Sequence, residues 1–207
     1  MPKLPSLFLC AWSVACALYS GAQVPEKRTL DTTADVLAGT ILAASKNPGG
    51  VELISGCAIP ETKTFNANFE NPDAALADAA QRENHLTWTK GVSAYTVTIQ
   101  LTATQRVTSV RLPALQIRAK TLSGATDTLL NEAPVRDRIT GMKMTELTEN
   151  FGSASINERD VRVIDLPAGT LREDLNALAV SFGSAIWKLD QRECENIRTF
   201  RISWITK

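Results

Sequence analysis

Few residues in this chain have the chemistry for catalysis, and their spacing matches no catalytic motif. His85 is the one histidine in 207 residues, which makes a His-rich metal cage impossible. Pairing His85 with Cys57 is the one thiol-based arrangement available. No phosphate loop, Rossmann fingerprint or metal-ligand spacing occurs. Carboxylates are scattered and form no recognisable acid–base pair: Asp73, Asp78, Glu83, Asp165, Glu173, Asp174, Glu193 and Glu195. We therefore expect a protein that is not an enzyme, with no catalytic, cofactor-binding or metal-binding residues and no cofactor.

The balance of charged residues bears on which kinds of molecule the protein could bind. Lys plus Arg and Asp plus Glu are both 22, so the formal net charge is zero. A broad phosphate-binding surface is not expected with this balance, and we predict no nucleic-acid partner. The chain is 44% hydrophobic and 21% charged, which is typical of a globular protein.

The N-terminus reads as an export signal. Lys3 precedes an apolar run from Leu4 to Tyr19, and Ser20 and Ala22 occupy the minus-three and minus-one positions of a cut before Gln23. We predict a signal peptide over 1–22 and a periplasmic or extracellular protein of a Gram-negative-type envelope. An uncleaved anchor and lipid attachment at Cys16 are the alternatives. No other apolar run is long enough to span a membrane, so we expect no span in the mature chain.

Two cysteines, Cys57 and Cys194, remain after residue 22. In an exported protein, two leftover cysteines most simply form one disulfide, here closing a loop of roughly 137 residues. Two unpaired, buried thiols are the alternative.

The first half predicts alternating helices and strands. A helix over 34–46 ends at Asn47-Pro48-Gly49-Gly50, and a short strand follows over 51–54. Period-2 alternation predicts a strand over 62–70. Asn71-Pro72-Asp73 then offers an N-cap, an N1 proline and an acid for a helix ending near Glu83. The segments 86–89 and 94–101 predict a hairpin.

This order resembles a known family. The stretches concerned are TTADVLAGTILAASKNPGGVELISG and TKTFNANFENPDAALADAAQRENHLTWTKGVSAYTVTI. Together they resemble the secretin and TonB short N-terminal domain over about 28–101. The resemblance implies a small periplasmic module that docks to other proteins and has no catalysis of its own. No secretin or receptor barrel follows the module here, which leaves its role open.

The second half repeats part of this pattern. A strand is predicted over 161–166. Thr170 and Glu173 form a capping box that predicts the start of a helix, which extends to Phe182. Two further strands are predicted over 185–189 and 198–205. The string DLPAGTLREDLNALAVSFG is similar to the opening strand and helix of the same module, as a partial second copy over about 160–205. The alternative is a capped core helix in an unrelated domain.

Residues 102–160 lie between these two parts of the chain. Val107–Ile117 predicts one or two strands, Thr121–Leu130 and Met142–Glu149 predict helices, and Gly152–Arg159 predicts a loop. Overall we expect an α+β fold of small mixed sheets packed by helices, as tandem βαβ units over 23–102 and 103–207.

Aromatic residues in the predicted strands suggest how such a protein could bind a partner. Core packing is their usual role, but an aromatic at a sheet edge can help to bind a partner's strand. The candidate interaction residues are Trp88, Tyr95, Trp187, Phe200, Arg201 and Trp204. We expect a non-catalytic docking protein that binds an envelope protein or itself. A small envelope hydrolase with a site in 102–160, and a small-ligand binder with a pocket between the two units, are the alternatives, and both require a cleft.

Overall fold

A six-stranded mixed sheet forms the centre of the computed structural model, which describes residues 27–147 and 160–206. Helices cover the sheet, so the predicted α+β fold is confirmed. In spatial order the strands are β4 (Leu86–Lys90), β5 (Tyr95–Gln100), β2 (Gly49–Ser55), β11 (Ile186–Cys194), β12 (Ile197–Ile205) and β8 (Thr145–Glu146). Strand β2 pairs in parallel with β5 and with β11, while the β4–β5 and β11–β12 pairs are antiparallel.

Three two-stranded sheets surround the central one. They pair β1 (Lys27–Thr32) with β3 (Lys63–Asn68), β7 (Leu115–Ala119) with β9 (Arg162–Leu166), and β6 (Arg111–Leu112) with β10 (Gly169–Thr170). The helices are α1 (Ala34–Ala44), α2 (Pro72–Arg82), α3 (Leu122–Leu130), α4 (Ala133–Gly141) and α5 (Leu171–Ser181), with a 3₁₀ turn at Val107–Ser109.

Two hydrophobic cores lie on opposite faces of the sheet. Helices α1 and α2 pack on the face that carries Val51 and Leu53 of β2, and α3 and α5 pack on the face that carries Ile54. Alternate residues of β2 thus enter different cores, which explains why the whole strand is buried. At Gly50 a Cβ atom would lie 2.0 Å from the ring of Trp187, so only glycine leaves room for this large ring against β2.

The central sheet joins the two predicted units. One core is drawn largely from residues 34–99 and the other largely from 107–200. The parallel pair β2–β11, however, links the two halves across seven aligned positions, from Gly49 to Ser55. The predicted boundary between two units at residues 102 and 103 remains a prediction. Strands that precede this boundary and strands that follow it belong to the same sheet.

Most predicted elements are present, and the exceptions have physical reasons. The helix predicted over Met142–Glu149 is wrong, because Met142 is the C-cap of α4 and Thr145–Glu146 forms β8. The helix predicted over Thr121–Leu130 is present as α3, and Pro134 lies in the first turn of the following helix α4, where its missing N–H is not needed. The predicted signal peptide over 1–22, Cys16 and the predicted loop over 152–159 lie outside the described residues.

Neither described range, 27–147 or 160–206, contains a helix that is long and apolar enough to cross a membrane.

Candidate functional site

Cys57 and Cys194 form a disulfide, as the cysteine count predicted. Cys194 is the last residue of β11, and Cys57 lies two residues beyond the end of β2. The bond therefore ties the adjacent ends of two parallel central strands. It also removes the possible Cys57–His85 pair, because the sulfur of Cys57 is already bonded and His85 is exposed.

A fully buried carboxylate, Glu52, lies at the centre of a cluster of arginine and threonine side chains. Arg172 binds it with both ends of its guanidinium, with Nε 3.0 Å from Oε1 and Nη2 2.6 Å from Oε2. Thr98 donates a hydroxyl hydrogen bond to Oε2 at 3.0 Å, and the Thr108 hydroxyl donates to Oε1. Arg106 adds an ion pair at 3.7 Å. With every partner a donor, Glu52 is suited to holding structure together.

This cluster anchors the segment 102–110 onto the sheet. Gln191 is also fully buried, and its side chain accepts from Val107 N at 3.0 Å and donates to Gln105 O at 2.7 Å. Sequence reasoning missed Glu52, although an acid in the middle of the apolar run 49–55 could have revealed it. No serine, cysteine or histidine is among the described partners of Glu52, and no group of acidic, cysteine or histidine side chains in the described residues could hold a metal.

A second buried acid, Asp174, lies in the first turns of α5. Only 2% of its surface is exposed, and its Oδ2 atom has no hydrogen-bond partner within the described residues. Burial, reinforced by the neighbouring carboxylate of Glu173, raises the pKa of Asp174 to about 7.

Three of the predicted interaction residues are corrected to core positions. Tyr95, Trp187 and Phe200 are at most 4% exposed, because their strands lie inside the sheet with helices over these faces. Trp187 donates its indole N–H to Asn176 at 2.8 Å, and the Tyr95 hydroxyl donates to Asp73 at 2.5 Å. Their polar atoms are thus satisfied internally, as is usual for buried aromatics.

The other three candidates, Trp88, Arg201 and Trp204, are partly exposed and lie on different strands. Arg201 and Trp204 are on β12, where Trp204 donates to Thr126 at 3.0 Å and Arg201 lies 3.8 Å from Asp190. Trp88 is on β4, at the opposite edge of the sheet. The six predicted residues therefore do not form one site.

Strand β4 presents a backbone edge. The N–H of Gly91 donates to Ala94 at 2.9 Å, and the N–H of Gln100 donates to His85 at 3.0 Å. Because hydrogen-bonded pairs alternate in an antiparallel ladder, Trp88 and Lys90 direct their backbone N–H and C=O groups away from β5. No strand in the described residues pairs with that side of β4.

The side chains of this edge are held in place by their neighbours. The Trp88 and Tyr95 rings stack with centroids 6.3 Å apart, and the Lys90 ammonium lies 5.2 Å from the centre of the Tyr95 ring. Lys90 also pairs with Asp73 at 3.0 Å. The hydrogen bond from Tyr95, together with Lys90, lowers the pKa of Asp73 and keeps this pair charged.

No protein-family model matches this chain, and no curated protein or solved structure matches it.

Proposed function

We propose that the chain is a non-catalytic docking module of the cell envelope, and that an extended segment of a partner protein adds to the sheet beside β4. The observation that carries this proposal is the unpaired edge at Trp88 and Lys90. An added strand would satisfy these backbone groups, and pockets for its alternate side chains would give specificity.

The surfaces on either side of the edge suit such a segment. Thr87 and Thr89 are exposed on one face of β4, and the partly exposed Trp88 lies on the other. Threonine and aromatic side chains form favourable cross-strand pairs with β-branched and aromatic residues. The preferred partner is therefore an extended segment that alternates such residues.

Two further features support an exported docking protein. A disulfide such as Cys57–Cys194 persists in oxidising compartments, among them the periplasm. The resemblance of about 28–101 to the secretin and TonB short N-terminal domain also fits a module that docks to an envelope protein.

The proposal is tested by a matched pair of substitutions at Lys90. Lys90→Pro and Lys90→Ala both remove the ion pair with Asp73, but only proline removes the outward N–H. With a photo-reactive residue at Thr89 of the full-length protein in its native envelope, we expect reproducible cross-links to one envelope protein. Lys90→Pro should abolish them and Lys90→Ala should keep them.

Other outcomes would contradict the proposal. Equal cross-linking by the two Lys90 variants would exclude strand addition at this edge. Links only between copies of the chain would replace the envelope partner with self-association. Complete absence of links in the wild type would exclude docking at β4.

A further inference from the structure

A surface cleft of about 540 Å³ separates α4 from the segment that leads into β6. This volume lies within the range of small-ligand pockets. One wall consists of residues spaced three and four apart on α4, which places them on one helical face: Pro134, Asp137, Arg138 and Gly141. Gln105, Val110 and Arg111 lie across from this face, and Met142, the C-cap of α4, also lines the cleft. The cleft lies inside the second predicted unit, and not between the two units.

The charged groups of the cleft favour an anion. It is lined by two arginines, Arg111 and Arg138, and by one acid, Asp137. Arg138 donates through Nη1 to the side-chain oxygen of Gln105 on the opposite wall, which holds the guanidinium in position. This bond uses one of the five N–H donors of an arginine. The side chain of Arg111 makes no hydrogen bond to any residue in 27–147 or 160–206, and the Glu173 carboxylate lies close enough to interact with its charge.

The remaining lining is apolar. Val110 is 5% exposed, Met142 is partly buried, and Pro134 presents its ring. At Gly141 a Cβ atom would meet no other atom within 4 Å, so this part of the cleft is open space. We propose that the cleft binds a small organic anion whose carboxylate or sulfonate contacts Arg111 and Arg138 and whose apolar part packs on Val110 and Met142.

The test uses two fluorescent probes with the same aromatic skeleton. 8-Anilinonaphthalene-1-sulfonate carries the anionic group, and N-phenyl-1-naphthylamine lacks it. Titrated into the folded full chain, the sulfonate should bind at one site. Arg138→Gln and Arg111→Gln should each weaken its binding about threefold to tenfold and leave the neutral probe unchanged. Asp137→Asn removes the one carboxylate and should strengthen sulfonate binding about twofold to threefold.

A matched control and a blocking variant complete the design. Arg118→Gln makes the same charge change at an exposed position on β7, outside the cleft, and should leave sulfonate binding unaltered. Gly141→Phe fills the open space without a clash at Cβ and should abolish binding, while circular dichroism shows that the fold is kept. Equal losses with Arg118→Gln and Arg138→Gln, undiminished binding in Gly141→Phe, or no sulfonate binding by the wild type would each overturn the proposal.

Discussion

Asp174 should make the stability of this protein depend on pH in an unusual direction. Its side chain is buried on α5, and one carboxylate oxygen has no partner among the described residues. The folded state therefore favours the protonated acid, and the pKa rises from 3.8 to about 7. Asp174→Asn replaces the ionisable group with a neutral one of nearly the same shape.

The size of the effect follows from the two pKa values. Below about pH 4 the acid is protonated in both states, and its contribution to stability is fully present. Between about pH 4 and 7 the unfolded chain loses this proton while the folded protein keeps it, so the free energy of unfolding falls by about 1.4 kcal/mol per pH unit. Over about three units the total loss is about 4 kcal/mol. Above pH 7 no more is lost, because both states are then ionised.

Urea unfolding of the wild type and Asp174→Asn between pH 4 and 9 measures this directly. The difference in unfolding free energy between the two proteins should shift in favour of the variant by about 4 kcal/mol from pH 4 to pH 8. Burying the amide of the Asp174→Asn variant changes its unfolding free energy by the same amount at every pH, so this contribution cancels when the two pH values are compared. Glu70→Gln, at an exposed position between β3 and α2, should show no such shift. If the difference in unfolding free energy between the wild type and Asp174→Asn stays constant from pH 4 to 8, the pKa of Asp174 is not raised, which refutes the reasoning.

Two further predictions concern the ion pair and the disulfide that connect the two halves of the chain. Glu52→Gln leaves the guanidinium of Arg172 without its buried carboxylate and should lower the unfolding free energy by about 2–4 kcal/mol. Chemical denaturation monitored by tryptophan fluorescence checks this, with the exposed Glu70→Gln as a control expected near zero; equal effects of the two would contradict a stabilising role for Glu52. Replacing Cys57 and Cys194 together by serine releases a loop of 137 residues and should cost about 4–5 kcal/mol. Thermal unfolding with and without reductant measures this, and two titratable thiols in unreduced, denatured wild type would show that the bond does not form.

Several local elements could be predicted because the interactions that decide them are close in sequence. Asn71 accepts a hydrogen bond from Ala74 N at the start of α2, and Thr170 and Glu173 form the capping box of α5. Such caps involve residues three apart, so the sequence displays them directly. The β4–β5 hairpin is local for the same reason.

The partners of buried polar residues could not be predicted in this way. Glu52 meets Arg172 across 120 positions of sequence, and no local pattern connects them. Strand β11 continues to Cys194 although the sequence predicts a strand only over 185–189, because Gln191 is buried against the segment 102–110. In each case tertiary hydrogen bonds outweigh local preference, as expected for polar side chains inside a sheet.

The same long-range contacts explain why the two halves form one structure. Strand β2 lies between β5 of its own half and β11 of the other, so separating the halves would expose a central parallel strand. Separation would also leave two buried acids without their basic partners. Glu52 would lose Arg172, and Asp35 would lose Lys188, whose Nζ lies 2.5 Å from Oδ2 of Asp35. An unpaired buried charge is costly, and each half therefore depends on the other to complete its polar interior. The docking proposed at β4 would use an edge that these internal contacts do not occupy, so a partner's strand added there would leave them intact.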